Sequence, residues 1–310
     1  MPTVAVYFSG RDYHDDPFDK PDYRKAYADL GEMIVDSGAD FWIVRHRETY
    51  LGQGDFAGGW RFSWGQFKRE ERTVHAHVVL DKKEDDHDPI VWDADTRVIN
   101  DPALHALTMK DATYATFPDV SPRSIPVSTA EQLTEALAAL PGDMAVAKPT
   151  QAAAGRGIVI AQKADIDPRS VQYPAVAQEF LDTSVGIPGI AEGVHDLRIV
   201  IVGGEVGLAY VRTPAPGSLL ANVAQGGSLR LLEPGEIPEE ALAIARRIDR
   251  ELEQFPYRWY SVDVARSPVG WRLIELNSPA GLTSRKWGAG VDRYYRLLAD
   301  LLVRAARAGH

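Results

Sequence analysis

Two short apolar runs near the end of the chain, Trp259 to Val264 and Trp271 to Leu276, flank a Ser-Pro-Val-Gly turn. Apolar runs separated in this way predict a β-hairpin. Asp263 lies on the first predicted strand, whereas Glu275 and Asn277 share one face of the second, because alternate strand residues point the same way. Three oxygen ligands without Cys or His suit Mg²⁺ or Mn²⁺, and they leave room for phosphate oxygens. The alternative is an edge hairpin whose carboxylates are solvated.

The register of this hairpin decides whether such a site can form. A two-residue loop would pair Ser267 with Gly270. Such a loop would therefore put Asp263 opposite Ile274, and Glu275 would point to the other face of the sheet. We therefore predict either a loop with an odd number of residues or a β-bulge, which would bring Asp263 and Glu275 onto one cation-sized space.

Composition limits the kind of protein that this chain can be. It has 310 residues, of which 45% are hydrophobic and 25% charged, as expected for a globular protein of two or three lobes. The formal net charge of −10 argues against a nucleic-acid partner. The absence of cysteine excludes disulfides, thiolate zinc sites and cysteine nucleophiles. We expect a cytoplasmic protein without a membrane partner, since no apolar run approaches a membrane span and no signal peptide is evident.

The first hundred residues predict a parallel α/β lobe. Residues 3 to 8 are typical of a buried strand, Pro21 to Ser37 of a helix with Pro in its first turn, and Phe41 to Arg45 of the next strand. No Gly-x-Gly-x-x-Gly pattern follows the first strand, which disfavours a nicotinamide or flavin site. His75 and His77 share a strand face, and we favour two hydrogen-bonded histidines over a metal-binding pair.

Residues 51–72 form an unusual segment of this lobe, because glycines are interspersed among several aromatic residues. We predict a hairpin or a long loop. The alternation of Trp60, Phe62 and Trp64 favours one packed strand face, and a ligand-binding surface is the alternative. Because the segment is extra to a simple α/β lobe, we also expect it to face the substrate end of a cleft.

The middle of the chain contains a possible phosphate-covering flap. A predicted helix carries Lys110, and the capping box Ser128 to Glu131 predicts a second helix that runs to Leu140. Two further strands, Met144 to Lys148 and Ile158 to Ile160, flank a loop of small residues. Backbone N–H groups of such a loop can close over phosphates.

The last part of the chain continues with three predicted strands and two helices. The strands are Val176 to Leu181, His195 to Val202 and Val206 to Arg212. One helix begins near Pro238, where apolar residues recur every three or four positions, and the other runs from about Val291 to Ala308. These elements surround the hairpin described above.

From about Asn100 to Leu282 the chain resembles the ATP-grasp superfamily, in particular bacterial glutathione synthetase and the ribosomal-protein S6 glutamate ligase group. The resemblance consists of a series of motifs in the right order. These are Lys110, Lys148 in Val-Ala-Lys-Pro, the loop Ala152 to Gly157, the hinge Gln178 to Leu181, the Asp-Leu-Arg of Asp196 and Arg198, Arg212 before Thr-Pro, Asn222 before Gly-Gly, and the hairpin residues.

This resemblance implies a role for each motif. The residues that would bind ATP are Lys110, Lys148, Ala154, Gly155, Arg156, Gly157, Gln178, Glu179, Phe180, Leu181, Asp196, Arg198 and Asn222. Those that would act in catalysis are Lys148, Arg212 and Asn222. Those that would ligate Mg²⁺ or Mn²⁺ are Asp263, Glu275 and Asn277. A further similarity to D-alanine ligases concerns the residues after the hairpin. It implies that an anionic group of the substrate would be bound by Ser284, Arg285 and Lys286. The alternative for Arg285 and Lys286 is that they are plain surface charges.

The resemblance also implies an α/β fold made of three lobes. These are an N-terminal parallel α/β substrate lobe at 1–102, a central lid lobe at 103–180 and a C-terminal lobe with the metal site at 181–310. The implied function is an ATP-dependent carboxylate–amine ligase that forms an acyl phosphate from a small-molecule carboxylate, and by analogy it would be a homodimer. The alternatives are a phosphotransferase with a stable phosphorylated product and a nucleotide-binding module without turnover.

Overall fold

The computed structural model of the chain describes residues 1–10, 16–82, 90–150, 156–219, 226–288 and 290–308. Strands and helices are numbered in chain order. Within the described ranges the chain forms a six-stranded, a four-stranded and a five-stranded sheet, with a small three-stranded sheet packed against the first. The predicted α/β class is confirmed.

The N-terminal sheet has four parallel strands that are extended by an antiparallel hairpin. Its strands are β1 (Thr3–Phe8), β2 (Asp40–Arg45), β5 (Gly59–Ser63), β6 (Gln66–Glu70), β8 (Val78–Asp81) and β9 (Val98–Ile99). The small sheet consists of β3 (Tyr50–Gly52), β4 (Asp55–Phe56) and β7 (Val74–His75). The order in the large sheet is β6-β5-β2-β1-β8-β9. The central strands are almost wholly apolar because parallel strands are covered on both faces.

Two helices from opposite ends of the chain cover one face of this sheet. They are α1 (Pro21–Asp36) and α6 (Gly290–Arg307). Helix α6 confirms the predicted closing helix, and its buried Leu298 and Leu301 join the same apolar core as Tyr27 of α1. The C-terminal helix therefore completes the core of the N-terminal sheet. The division into lobes at 1–102, 103–180 and 181–310 stays a prediction.

The aromatic segment 51–72 supplies the hairpin of β5 and β6, as predicted. Trp60 and Phe62 are buried, and Phe62 packs edge-on against Phe41 with ring centroids 6.4 Å apart. Trp64 differs from the prediction, because it stands in the turn after β5 and is 94% exposed. The alternation that places Trp60 and Phe62 on one face ends where the strand ends.

His75 of β7 and His77 after it both have hydrogen-bond partners, as expected. His75 Nδ1 lies 2.8 Å from a carboxylate oxygen of Asp55. His77 Nδ1 accepts a hydrogen bond from the backbone N–H of Thr3 at 3.2 Å. These contacts account for Nδ1 of each ring.

The central sheet is antiparallel. Its strands are β10 (Ser124–Val127), β11 (Met144–Pro149), β12 (Val159–Gln162) and β13 (Ala175–Glu179), in the order β10-β13-β11-β12. Two short helices, α2 (Pro102–Leu107) and α3 (Lys110–Thr116), precede it. Helix α4 (Ala130–Ala139) begins one residue later than the predicted capping box, because Thr129 rather than Ser128 accepts the capping bond, at 3.3 Å from Gln132 N.

The C-terminal sheet is antiparallel as well. Its strands are β14 (Asp196–Val202), β15 (Glu205–Thr213), β16 (Ser228–Leu232), β17 (Trp259–Ser267) and β18 (Gly270–Asn277), in the order β16-β15-β14-β17-β18. Helix α5 (Glu239–Leu252) packs its apolar face against this sheet. Single turns of 3₁₀ helix occur at Arg47–Thr49, Lys163–Asp165, Pro168–Ser170, Pro234–Glu236 and Arg285–Trp287. None of the helices in the described ranges is long and apolar enough to cross a membrane.

Candidate active site

A cavity of about 400 Å³ lies between the central and the C-terminal sheets and is lined by residues of both. The predicted site residues that line it are Lys110, Lys148, Gln178, Glu179, Phe180, Leu181, Asp196, Arg198, Arg212, Asp263, Glu275 and Asn277. Lining residues that were not predicted to have a role include Val146, Ile158, Ile160, Thr183, His195, Leu219, Ala265 and Ile274. The fold thus gathers in one space residues that are far apart in the sequence.

The β17–β18 hairpin contains a bulge, the second of the two predicted solutions, and the predicted odd-numbered loop is wrong. Ser267 faces Gly270 across a two-residue loop. The register then shifts by one residue, because Ile274 on β18 has no paired residue on β17. Asp263 therefore faces Glu275. Since directly opposed residues lie on one face of a sheet, both carboxylates can reach the same cavity.

Asp263 is buried and accepts hydrogen bonds from two arginines. Arg198 donates from Nε to Oδ1 at 2.7 Å and from a terminal nitrogen to Oδ2 at 2.6 Å. Arg212 donates to Oδ2 at 2.8 Å. It also donates two bonds to Asp196, at 2.6 and 2.7 Å. Strand register produces this network. Asp196 of β14 faces Arg212 of β15 on one side, and Arg198 of β14 faces Asp263 of β17 on the other.

The carboxyl groups of Asp196 and Asp263 have opposite pKa shifts. Burial raises the pKa of Asp196 to about 6, with Arg212 opposing the shift and Asp263 adding to it. Burial also acts to raise the pKa of Asp263, but the guanidiniums of Arg198 and Arg212 outweigh it and hold the pKa at about 2. Asp263 is therefore fully ionised at neutral pH, which suits a ligand for a cation.

Glu275 forms an ion pair with a lysine of helix α3. Lys110, the first residue of α3, places Nζ 3.2 Å from Glu275 Oε1. Asn277 completes the group, with Nδ2 at 3.4 Å from Asp263 Oδ2. Both carboxylates that were predicted to bind the metal therefore contact basic side chains. Those basic side chains were predicted to bind the nucleotide or to act in catalysis.

Tyr114 joins two parts of the site, and sequence reasoning missed it. Its hydroxyl donates to the backbone carbonyl of Ile274 at 2.6 Å. The ammonium group of Lys148 donates to the same phenol oxygen at 3.2 Å. Tyr114 lies four residues after Lys110 in α3, and residues at this spacing share a helix face. That spacing was the signal that could have identified it.

Apolar side chains also line the cavity. Val146 and Ile160 come from the central sheet, and Ala265 comes from β17 of the C-terminal sheet. Gln178 beside them is buried, and its Nε2 donates to Ser124 Oγ at 2.8 Å. An apolar space with a few fixed polar groups is the usual setting for a flat organic ligand.

His195 is a second lining residue without a predicted role. It is buried, its Nδ1 lies 2.9 Å from the carbonyl oxygen of Gly193, and its Nε2 accepts from the backbone N–H of Arg266 at 3.2 Å. These partners require a neutral ring that carries its proton on Nδ1. Burial lowers the pKa of His195, which keeps the ring neutral at physiological pH.

Some predicted nucleotide residues are not among those that line the cavity. Arg156 and Gly157 are the last two residues of the predicted loop, and Gly157 takes a φ of 69° that favours glycine. Ala154, Gly155 and Asn222 lie outside the described residues. Their predicted roles stay predictions.

The predicted substrate residues do not line the cavity either, and they have contacts elsewhere. Ser284 Oγ accepts from the backbone N–H of Lys286 at the start of a 3₁₀ turn. Arg285 pairs with Asp292 at 2.6 Å, and Lys286 pairs with Asp22 at 2.7 Å. The aromatic segment 51–72 is also absent from the lining, and its Trp60, Phe62 and Phe67 pack in the N-terminal core.

Comparison with known sequences decides the family. Residues 111–286 match the sequence model of the prokaryotic glutathione synthetase, ATP-grasp domain, over more than half of the chain. The chain belongs to this ATP-grasp family. The match begins directly after Lys110 and spans the central sheet and the C-terminal sheet, which together enclose the cavity.

Curated relatives of this ATP-grasp chain carry the names of ligases and synthetases, in agreement with the predicted enzyme class. A probable alpha-L-glutamate ligase from Shewanella halifaxensis is 29% identical over 144 residues, which are 44% of this chain and 28% of that protein. The glutathione synthetase of Agrobacterium fabrum is 28% identical over 208 residues, which are 64% of this chain and 60% of that protein. The chain therefore spans less than two thirds of the length of either relative.

Structural similarity to a solved ATP-grasp ligase extends over 99% of this chain. The ATP-grasp ligase PsnB, solved with a phosphomimetic variant of its minimal precursor, Mg and ADP, aligns with 99% of both chains at a TM-score of 0.59. Sequence identity is 15%, so this likeness concerns the fold. The predicted combination of an N-terminal α/β lobe with ATP-grasp lobes is confirmed.

The oxygen ligands offered by this hairpin meet only part of what a hard divalent cation needs. Asp263 and Glu275 offer carboxylate oxygens, and Asn277 offers an amide oxygen, as Mg²⁺ prefers. Within the described ranges, no group of three His, Cys, Asp or Glu side chains could hold a metal ion by itself. A cation here would therefore need further oxygens from a bound ligand, which phosphate groups can supply.

Proposed function

We propose that this chain is an ATP-dependent carboxylate–amine ligase that acts on an amino acid or small peptide. The observation that carries the proposal is the meeting in one cavity of Lys148, Arg198 and Arg212 with the facing carboxylates Asp263 and Glu275. The names of the relatives, glutamate ligase and glutathione synthetase, support the same reaction class. The products are the amide, ADP and orthophosphate.

The nucleotide occupies the cavity between the two sheets. Its base lies against the apolar lining beside the hinge Gln178 to Leu181, and its phosphates extend toward Lys148 and the hairpin. Lys148 is suited to a phosphate because it donates its hydrogen bond to the phenol of Tyr114, which carries no charge to neutralise the ammonium group. Asp196 lies in the same lining and is the proposed ribose contact.

Mg²⁺ is the proposed cofactor, and Mn²⁺ fits the same oxygen donors. Asp263, Glu275 and Asn277 would hold it. When bound, the cation supplies neutralisation of phosphate charge. The observation that PsnB was solved with Mg and ADP supports this assignment.

The side chains of the site act by position and charge. Phosphoryl transfer needs alignment and charge neutralisation more than a protein nucleophile. Paired hydrogen bonds to carboxylates fix the planes of Arg198 and Arg212, so their guanidiniums need little reorientation to meet developing negative charge. The substrate carboxylate attacks the γ-phosphorus, ADP leaves, and an amine then displaces phosphate from the acyl phosphate.

A phosphate-release screen tests this proposal. The protein is incubated with Mg-ATP and pools of amino acids and short peptides, with and without hydroxylamine. We expect orthophosphate release with a particular pool, and a hydroxamate of the carboxylate substrate when hydroxylamine replaces the amine. A stable phosphorylated product would instead identify a phosphotransferase. Tight nucleotide binding without turnover in any pool would identify a binding module.

A further inference from the structure

We propose that Tyr114 is a positioning residue that couples the phosphate-binding lysine to the metal-binding hairpin. The inference rests on the proposed nucleotide and metal site. Three residues carry it: Tyr114 in α3, Lys148 on β11 of the central sheet and Ile274 on β18 of the C-terminal sheet. The phenol oxygen of Tyr114 is hydrogen-bonded to both of the others.

The first contact stabilises the bulge. Ile274 is the extra residue that brings Glu275 opposite Asp263, and its carbonyl accepts the Tyr114 hydroxyl at 2.6 Å. Strand β18 is the edge strand of its sheet, so one row of its backbone groups has no neighbouring strand to pair with. Tyr114 supplies a donor to that row at the residue next to Glu275. The bond therefore favours the register on which the carboxylate pair depends.

The second contact orients Lys148. A phenol has one hydroxyl proton, and Tyr114 donates it to Ile274, so only its lone pairs face the ammonium group at 3.2 Å. This direction suits a lysine, which can only donate. Both side chains are buried, where the two bonds reinforce each other more than they would in water. The lysine is thereby held at a fixed place beside the hairpin.

Helix α3 thus contacts consecutive residues of the bulged strand. Lys110 at its start meets Glu275, and Tyr114 one turn later meets Ile274. Because Tyr114 also holds Lys148, the helix sets the positions of both lysines relative to the carboxylate pair. Loss of the hydroxyl should weaken phosphate binding through Lys148, although Tyr114 itself need not touch the nucleotide.

Tyr114→Phe tests the proposal because it removes the hydroxyl and leaves the buried ring. ADP affinity is measured by calorimetry at saturating Mg²⁺, so no carboxylate substrate is required. We expect about tenfold weaker ADP binding, as for loss of a hydrogen bond to a charged group. Tyr173→Phe is the matched control, because its hydroxyl donates at the same distance of 2.6 Å to the carbonyl of Pro168, which does not line the cavity. ADP affinity should be unchanged in the control.

A double-mutant cycle with Lys148→Met separates positioning from general stability. If Tyr114 acts through Lys148, the double variant should bind ADP as weakly as Lys148→Met alone. Wild-type affinity in Tyr114→Phe, or an equal further loss in the Lys148→Met background, would overturn the proposal. So would wild-type affinity in Lys148→Met, even if Tyr114→Phe did not fold. Wild-type protein that fails to bind ADP would refute the proposed function itself, and this inference with it.

Discussion

Asp263 lies directly opposite Glu275 in the last hairpin, although the loop between their strands holds only two residues. A regular ladder from that loop would place the two carboxylates on opposite faces of the sheet. The single extra residue Ile274 reverses this outcome. The candidate metal site therefore depends on a backbone irregularity as much as on the identity of the side chains.

Glu275→Gln should remove most of the Mg²⁺-dependent activity and leave the fold intact. The change removes a charge without altering the shape of the side chain. Glu275 is partly exposed, and the glutamine amide oxygen can still accept a hydrogen bond from the buried Lys110. We expect turnover to fall by about 10²–10³, measured as ADP formation, with an unchanged melting temperature. The control is Glu240→Gln on the exposed side of α5. A fully active Glu275→Gln protein would contradict the metal assignment.

Arg212→Met should destabilise the protein strongly. The change leaves Asp196 without its two guanidinium bonds in a buried setting, close to the ionised Asp263. We expect the free energy of unfolding to fall by about 3 kcal/mol in urea titrations at neutral pH. Asp196→Asn in the same background should restore part of the loss, because it removes one of the two negative charges of the network.

The matched control for this prediction is Arg246→Met, which breaks an exposed ion pair with Glu239. Such a pair contributes little to stability. If Arg212→Met cost no more stability than Arg246→Met, the buried network would not have the role that we assign to it.

Stability should fall with acidification through His195. Burial lowers its folded pKa below the unfolded value near 6.5. As the pH drops below about 6.5, the unfolded chain takes up the proton first, so the stability contribution present at higher pH is lost. Between about pH 7.5 and 5.5, wild-type protein should therefore lose more unfolding free energy than His195→Gln does. The same loss of unfolding free energy in both proteins would contradict this prediction. His46→Gln is the control, because His46 is partly exposed.

Lys286→Ala tests the predicted substrate role of residues 284–286. The ion pair of Lys286 with Asp22 is exposed, so its loss should cost less than about 1 kcal/mol of stability. If Lys286 binds an anionic substrate group, the KM for the carboxylate substrate should rise while the KM for ATP stays the same. Asp22→Ala breaks the same ion pair and serves as the control. Equal kinetics of the two variants would show that Lys286 is a surface charge.

Local patterns predicted much of the fold. The hairpin, its bulge and the closing helix α6 follow from alternation, turn residues and helical spacing over short stretches of sequence. The bulge was predictable because two carboxylates can share a cation only if the register shifts. The cap of α4 was placed one residue too early, because Ser128 and Thr129 are adjacent and either could accept the capping bond.

Contacts across long sequence separations could not be predicted in the same way. Arg198 and Asp263 are 65 residues apart, and Tyr114 and Ile274 are 160 apart. Nothing in the local sequence indicates that Arg198 binds the predicted metal ligand, or that a tyrosine meets the bulge carbonyl. Such pairs arise from the order of the strands within the sheet and from the packing of α3 against the sheet edge.

The transfer of oxygen from substrate to phosphate tests the central claim most directly. Once the screen has identified the carboxylate substrate, it is labelled with ¹⁸O and turned over with Mg-ATP, and the products are followed by ³¹P NMR. An acyl-phosphate ligase passes one carboxylate oxygen to the phosphate that it releases. We therefore predict ADP together with orthophosphate that carries one ¹⁸O atom. Unlabelled orthophosphate, or AMP with pyrophosphate, would contradict the account.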